Sequence, residues 1–312
     1  MNSKLYVPIL HNIFIIIIVT GCNTAQPTTN FPLLAAKSNT KGCKITHHHI
    51  DHRPCVILKT PHKVQTKWLV DSGATQSILY GVKSNINNPD ISIGSNSSQV
   101  IHGIFKSKPN TFDAFQYKMA TAPQIKGYIL SDSTRRQSKN KCDGVLGLNF
   151  LIENRAILYL SEKYLSWKSP SIISFDHNVI PLKSHPSTGH LLLSCYVNNH
   201  PACFIIDSGA SRSIIDMRAA IGMGLQLRAT RSQLTGVNRS SSHVYRASNV
   251  IIQVHKSTKS IKAPLLVTDL SSLVRQVLEK SNEFPIVGIL GYDLLSKHIS
   301  IIDFSKQELH MP

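Results

Sequence analysis

Two segments of the sequence carry the same pattern. Residues 204–213 read FIIDSGASRS, and residues 68–77 read WLVDSGATQS. In each segment a short apolar run, typical of a buried strand, stops at an aspartate that Ser-Gly-Ala follows: Asp207 in the first and Asp71 in the second. Aspartate, serine and glycine are common turn residues, so one copy alone would be a weak signal. The second copy makes the pattern informative.

The similarity extends well beyond these two segments and indicates an internal repeat. Residues 66–79 (TKWLVDSGATQSIL) align with 202–215 (ACFIIDSGASRSII) without a gap, as do 144–150 (GVLGLNF) with 288–294 (GILGYDL) and 156–167 with 300–311. Residues 99–106 (QVIHGIFK) and 232–239 (SQLTGVNR) are similar apolar segments around a glycine. We therefore predict two copies of one unit, a lobe at 41–168 and a lobe at 177–312, joined by a linker at 169–176.

The pattern within each copy predicts an all-β fold. Short runs rich in Ile, Val and Leu alternate with clusters of Ser, Asn, Gly and Pro, and helical periodicity is rare. We expect helices at residues 217–223 and 269–280, and a short closing helix after the Gly-bearing strand of each copy. The 42% hydrophobic content is sufficient for a sizeable core.

The order of strands, the two DSGA segments and the two apolar-apolar-Gly segments resemble the retropepsin-like branch of the aspartic protease superfamily. The alanine after each DSG points to this branch. The resemblance implies two pseudo-twofold-related β-barrel lobes with few short helices. Because one chain holds both lobes, it also implies a monomer that contains an intramolecular pseudo-dimer.

By this resemblance Asp71 and Asp207 are the catalytic pair of an endopeptidase acting on a protein or peptide substrate. Two carboxyls that share one proton can activate water and also polarise the scissile carbonyl. The residues expected to support the two active-site loops are Ser72, Gly73, Ala74, Ser208, Gly209 and Ala210. Gly103 and Gly236 fall where the family has flap tips, although plain hairpin turns are an open alternative. The chemistry requires no cofactor and no metal.

The N-terminus has the layout of a signal peptide: a lysine, an apolar stretch, and small residues before a cysteine. Its apolar run is shorter than the roughly 20 residues that a spanning helix needs. Val19-Thr20-Gly21-Cys22 resembles a bacterial lipobox, which implies removal of residues 1–21, lipidation of Cys22 and a tether at 22–40. We therefore expect an exported lipoprotein of the bacterial cell envelope, facing the periplasm or the exterior. An ordinary signal peptide and an uncleaved anchor remain alternatives.

The chain is strongly basic, with 34 Lys+Arg against 17 Asp+Glu and a formal charge of +17. Such a surplus favours anionic surroundings. No stretch interleaves aromatic and basic residues in the manner of a nucleic-acid platform, so we do not expect nucleic-acid binding. The charge supports an alternative function: an inactive acid-protease-fold lipoprotein that binds peptide or an anionic envelope polymer.

One further segment of the sequence is rich in histidine. The segment HHHIDH at 47–52 could suggest zinc, but alternate residues of one strand reach a single ion poorly, and an exposed polar strand explains it better.

Besides Cys22 there are five cysteines, an odd number, so at least one stays free or pairs between chains. Cys43 with Cys55 and Cys195 with Cys203 are the pairings that lie near in sequence.

Overall fold

The computed structural model describes residues 18–20, 41–47, 52–80, 89–101, 110–130, 142–167, 178–235, 241–255, 257–270 and 284–312. The elements before residue 170 are β1 (Ile18–Thr20), β2 (Lys41–His47), β3 (Pro54–Lys59), β4 (Gln65–Val70), β5 (Ser77–Tyr80), β6 (Ile91–Ile101), β7 (Asn110–Tyr117), β8 (Ile125–Leu130), β9 (Gly144–Leu146), α1 (Leu148–Glu153), β10 (Ile157–Tyr159) and β11 (Tyr164–Trp167).

The elements after residue 177 are β12 (Asn178–Pro181), β13 (Lys183–Ser184), β14 (Leu191–Val197), β15 (His200–Asp207), β16 (Ile214–Asp216), α2 (Met217–Gly222), β17 (Leu227–Thr235), β18 (Ser241–Val254), β19 (Ser260–Thr268), β20 (Ile286–Gly291), α3 (Tyr292–His298), β21 (Ile301–Asp303) and β22 (Glu308–Met311). Strands dominate the described part of the chain, so the predicted all-β class is confirmed.

The two DSGA segments occupy the same place in the same strand order. We call the elements before residue 170 the first half and those after residue 177 the second half. Neighbouring strands run β3-β4-β9-β5-β8-β7-β6 in the first half and β14-β15-β20-β16-β19-β18-β17 in the second. In both halves the strand before the aspartate pairs in parallel with the apolar-apolar-Gly strand: β4 with β9, and β15 with β20. Each aspartate thus follows a strand that has neighbours along both edges. This position explains why the preceding residues are an unbroken apolar run.

A sheet at the ends of both repeats contains strands from each half. Its order is β12-β22-β21-β10-β11-β2, and β2 also pairs with β3 of the first-half strand order. At its centre β10 and β21 are antiparallel, with Leu158 opposite Ile302. The repeat had suggested that these segments are equivalent, and the structure shows that they are also direct neighbours. Main-chain hydrogen bonds therefore join the two halves along this sheet.

The short helices begin at positions that the sequence favours. Asp216 caps α2, since its carboxylate accepts from the backbone N–H groups of Arg218 and Ala219. The predicted helix at 217–223 is confirmed by α2, and α1 and α3 each follow the second glycine of an apolar-apolar-Gly segment. Most of the helix predicted at 269–280 lies outside the described residues. None of the helices in the described ranges is long and apolar enough to cross a bilayer.

The core lies between the sheets and uses the strand residues next to each aspartate. Trp68 on β4 is fully buried and stacks on Phe115, with Tyr117 meeting it edge-on. Such aromatic pairs contribute about 0.5–1.5 kcal/mol beyond the area they bury. In the described structure, β1 pairs antiparallel with β17, and Ile18 lies opposite Thr235.

Candidate active site

Asp71 and Asp207 lie fully buried where β4 and β15 end. Both side chains turn back onto their own loops. Asp71 Oδ1 accepts from the N–H groups of Gly73 (2.9 Å) and Ala74 (3.1 Å). Asp207 Oδ1 accepts from the N–H of Ala210 at 2.8 Å. Within the described structure, the Oδ2 atom of each aspartate has no protein hydrogen-bond partner. One oxygen of each carboxyl is thus fixed by its loop, and the other is available for chemistry.

The loop glycines bring the two acids together across the interface between the halves. A Cβ on Gly73 would overlap the carboxyl group of Asp207, and a Cβ on Gly209 would overlap the carboxyl group of Asp71. Each carboxyl therefore occupies the space that a side chain on the opposite glycine would take. Only glycine permits this approach at either position.

Ser72 and Ser208 hold the two loops to each other. Ser72 Oγ donates to the carbonyl of Ile206 at 2.8 Å and accepts from the N–H of Ser208 at 2.9 Å. Ser208 Oγ donates to the carbonyl of Val70 at 2.9 Å and accepts from the N–H of Ser72 at 3.0 Å. The four hydrogen bonds are reciprocal, buried and link the two halves. The structure thus brings both predicted serines into one interface network.

A second set of contacts fixes each loop from behind, and the sequence had not revealed it. In the first half, Ser77 Oγ donates to Asn149 Oδ1 (2.9 Å) and accepts from the N–H of Gly147 (3.0 Å). The buried Ala74 accepts from the N–H of Leu148 at 2.7 Å. The loop that carries Asp71 is thereby tied to β9 and to the start of α1.

The second half repeats this arrangement with one change. Ser213 Oγ donates to Asp293 Oδ1 (2.7 Å) and accepts from the N–H of Gly291 (2.9 Å), while Ala210 accepts from the N–H of Tyr292 (2.8 Å). A carboxyl thus stands where the first half has an amide. Burial raises the pKa of Asp293 above its ordinary value. Ser77 and Asn149 align with Ser213 and Asp293 in the repeat, so the signal was present in the sequence.

Two further buried residues, Arg53 and His190, reach across the interface. Arg53 immediately precedes β3, and its Nη1 donates to the carbonyl of Gly209 at 2.9 Å. His190 immediately precedes β14, and its Nε2 lies 3.1 Å from the carbonyl of Gly73. Both side chains are inaccessible to solvent. The sequence did not single them out, because the gap-free alignment places Arg53 on Gly189 rather than on His190.

The electrostatics of the two acids are unequal. Burial raises the pKa of Asp71 to about 6, and the positive charge of Arg53 opposes that rise. Burial and the charge of Asp71 together raise the pKa of Asp207 well above its ordinary value. Two neighbouring carboxyls cannot both ionise cheaply in such a site. The arrangement therefore favours one carboxylate and one carboxylic acid that share a single proton.

The remaining predicted sites divide between described and undescribed segments. Gly103, Gly236 and Cys22 lie outside the described residues. In the described part of the HHHIDH segment, His47 ends β2 and His52 is exposed. Among the described residues there is no group of three or more His, Cys, Asp or Glu that could hold a metal ion.

The cysteines are arranged differently from the two sequence-neighbour pairings. The five described cysteines are free thiols. Cys55 lies 3.4 Å, Sγ to Sγ, from Cys142 rather than beside Cys43, and both thiols of this pair are buried. In the sheet Cys195 stands opposite Ala202, one position away from Cys203.

Part of the second half matches a known protein family. Residues 193–294 match a family model described as aspartyl protease. The matched segment runs from β14 to α3 and includes Asp207 and the loop that carries it. A similar solved structure is the crystal structure of basic 7S globulin from soybean, at 10% identity, with a TM-score of 0.49, covering 88% of this chain and 94% of that chain. No curated protein matches the chain. Residues 193–294 match the aspartyl protease family model, and the same strand order occurs in both halves, so this chain has the acid-protease fold.

Proposed function

We propose that the protein is an aspartic endopeptidase whose active site is formed by one aspartate from each half of a single chain. The observation that carries the proposal is the mutual packing of the two acids. Each carboxyl lies against the loop glycine of the other half, and each has one oxygen bonded to its own loop and one with no partner among the described residues. Buried carboxyls with raised pKa values in such a pair are typical of a catalytic site rather than of a structural contact.

The chemistry follows from the unequal protonation of the pair. The Asp71 carboxylate takes a proton from a water molecule, and the oxygen of that water attacks the scissile carbonyl carbon. Asp207 donates a hydrogen bond to the carbonyl oxygen, which gains negative charge as the tetrahedral intermediate forms. Collapse of the intermediate breaks the C–N bond, and the leaving nitrogen receives a proton from the pair. No covalent enzyme intermediate and no metal is needed.

The experiment that tests this function compares three proteins on an unfolded protein substrate at acidic and neutral pH. They are the unmutated chain, Asp71→Asn and Asp207→Asn. Asparagine keeps the shape of the side chain but can neither accept nor supply the proton. We expect each substitution to lower the rate at least about 100-fold, the scale of a general acid or base. Equal rates in the three proteins would reject the proposal and favour a binding protein with a silent site.

We also propose that the protein is exported and held at a cell-envelope membrane through lipid on Cys22. The Val-Thr-Gly-Cys segment supports the lipid, and the formal charge of +16 that remains when Lys4 is removed with residues 1–21 supports contact with an anionic bilayer. Cleavage before Cys22 would also remove β1. Detergent partitioning of the unmutated chain and of Cys22→Ala tests this: the variant should move to the aqueous phase, and unchanged partitioning would contradict it.

A further inference from the structure

Arg53 and His190 occupy equivalent positions in the two halves. Arg53 is the residue before β3, and His190 is the residue before β14, its counterpart in the strand order. Each side chain is fully buried and reaches the carbonyl of the glycine in the opposite DSGA loop. The equivalent glycine carbonyl is thus hydrogen-bonded in both halves, by a guanidinium in one case and by an imidazole in the other.

The two residues differ in charge. A guanidinium keeps its proton at any pH at which a protein folds. Burial lowers the pKa of His190 to about 4, so its imidazole is neutral above that pH. A carbonyl can only accept, so Nε2 donates to Gly73, and Nδ1 lies 2.8 Å from the Thr188 hydroxyl oxygen. The interface therefore has a fixed positive charge on one side and none at the equivalent point.

The charge lies on the side of Asp71. Arg53 Nη1 is bonded to the carbonyl of Gly209, and Gly209 packs directly against the Asp71 carboxyl. The equivalent glycine beside Asp207 is Gly73, which the neutral His190 contacts. A buried guanidinium is costly unless an anion compensates it. The charge of Arg53 stabilises the ionised form of Asp71 and opposes the rise of its pKa.

We propose that Arg53 is a positioning residue that makes the pair of acids unequal, fixing the negative charge on Asp71 and the proton on Asp207, while His190 supplies the same hydrogen bond without charge. The proposal rests on the proposed function for its catalytic meaning. Its electrostatic part concerns the two carboxyls alone, and it can be measured in a protein that cleaves nothing.

Other titratable groups also lie within the influence of Arg53: Cys55, Tyr80 and Cys142. Burial raises the pKa of Tyr80, and the hydrogen bond between the thiols raises the pKa of Cys55, so both groups stay protonated in the acidic range. That hydrogen bond lowers the pKa of Cys142, so of the three groups this thiol is the one that needs a control. On the His190 side the facing groups are His185 and the Thr188 hydroxyl. Cys142→Ser therefore serves as the control.

The direct test is a ¹³C NMR titration of aspartate Cγ atoms, with the two signals assigned by their loss in Asp71→Asn and Asp207→Asn. In the unmutated protein we expect Asp71 to ionise at lower pH than Asp207. Arg53→Met removes the charge while keeping much of the aliphatic length of the side chain. It should raise the pH at which Asp71 ionises by about 1 unit or more, since a nearby opposite charge lowers a carboxyl pKa by about 1–3 units. Arg53→Lys and Cys142→Ser should leave the order and spacing of the two titrations close to the original.

The equivalence of the two positions permits an exchange of the charge. In the double variant Arg53→His with His190→Arg, Asp207 should become the first acid to ionise. If this variant does not fold, Arg53→Met and Arg53→Lys carry the test alone. Titrations that are the same in Arg53→Met as in the unmutated protein would overturn the proposal.

The pH dependence of kcat/KM separates this proposal from the proposed function. Arg53→Met should move the acid limb of the profile upward by about 1 unit or more, because Asp71 must be ionised to accept the proton of water. His190→Gln keeps an uncharged hydrogen-bond donor at this position. It should leave both limbs of the pH profile of kcat/KM in place and lower the melting temperature. If the unmutated chain cleaves nothing, the proposed function fails and the NMR titration still decides the role of Arg53. If it cleaves and the limb does not move in Arg53→Met, only the present proposal fails.

Discussion

Ser72 and Ser208 exchange hydrogen bonds across the interface: each Oγ accepts from the other's backbone N–H, at 2.9 and 3.0 Å. Each hydroxyl also donates to a main-chain carbonyl of the opposite half. The two loops that carry Asp71 and Asp207 are therefore held by one closed network. The relative position of the two acids and the cohesion of the two halves depend on the same four bonds.

Ser72→Ala and Ser208→Ala should each destabilise the protein by about 1–3 kcal/mol, because each leaves a buried N–H and a buried carbonyl unpaired. Thermal unfolding measures the loss, and the cleavage rate should fall with it. Ser187→Ala, in an exposed turn, is the matched control and should change little. A melting temperature for Ser72→Ala equal to that of this control would contradict the role given to the network.

Gly73→Ala and Gly209→Ala should separate the two acids. In each case the new Cβ would overlap a carboxyl of the other half. We expect a cost of about 1–3 kcal/mol from overpacking and a large loss of cleavage. Gly222→Ala, where an added Cβ meets nothing within 4 Å, should keep full activity. Full activity in Gly73→Ala would show that the acids are not as close as described.

Asp207→Asn should stabilise the fold at neutral pH. The folded-state pKa of Asp207 lies well above its ordinary value. At a pH between these two pKa values, the folded protein retains a proton that the unfolded chain has released. The contribution of Asp207 to the free energy of unfolding is therefore fully present below the ordinary pKa, and it declines as pH rises toward the folded-state pKa. Asparagine avoids that penalty. The melting temperature of Asp207→Asn minus that of the unmutated protein should grow from pH 3 to pH 7.

The exposed Glu153→Gln provides the control for loss of a surface carboxyl. A difference that is constant with pH in Asp207→Asn would mean that the Asp207 carboxyl is not held protonated by the fold. A stabilised but inactive variant would show the usual conflict between stability and a strained functional site.

Cys55 and Cys142 should be the first cysteines to form a disulfide when the protein folds in the presence of a disulfide oxidant such as oxidised glutathione. Their sulfur atoms are 3.4 Å apart and buried together. Non-reducing peptide mapping should recover the peptide pair that contains both. A map dominated by Cys195 linked to Cys203, with free Cys55, would contradict the placement of β3 against the segment before β9.

The repeat made much of the site predictable, because the residues that matter lie within a few positions of each aspartate. Asp71 and Ser72, with their partners Asp207 and Ser208, follow from two copies of one short pattern. Ser77 and Asn149 were visible as repeated positions, but their contact depends on how closely β9 passes behind the loop. Sequence spacing does not encode that distance.

Two other features required the three-dimensional structure. The pairing of β10 with β21 joins residues that the repeat had marked only as equivalent. Arg53 and His190 are equivalent in space but differ in residue type and are displaced by one position in the alignment. Side chains that act across an interface between distant segments leave little local signal.

Mixing the two asparagine variants tests whether one chain supplies both acids. Asp71→Asn and Asp207→Asn are assayed for cleavage of an unfolded protein substrate, separately and as an equimolar mixture refolded together, beside the unmutated chain. We expect cleavage by the unmutated chain alone, with both variants and their mixture inactive. Activity that is kept by either variant, or restored in the mixture, would contradict a site built from Asp71 and Asp207 of the same molecule.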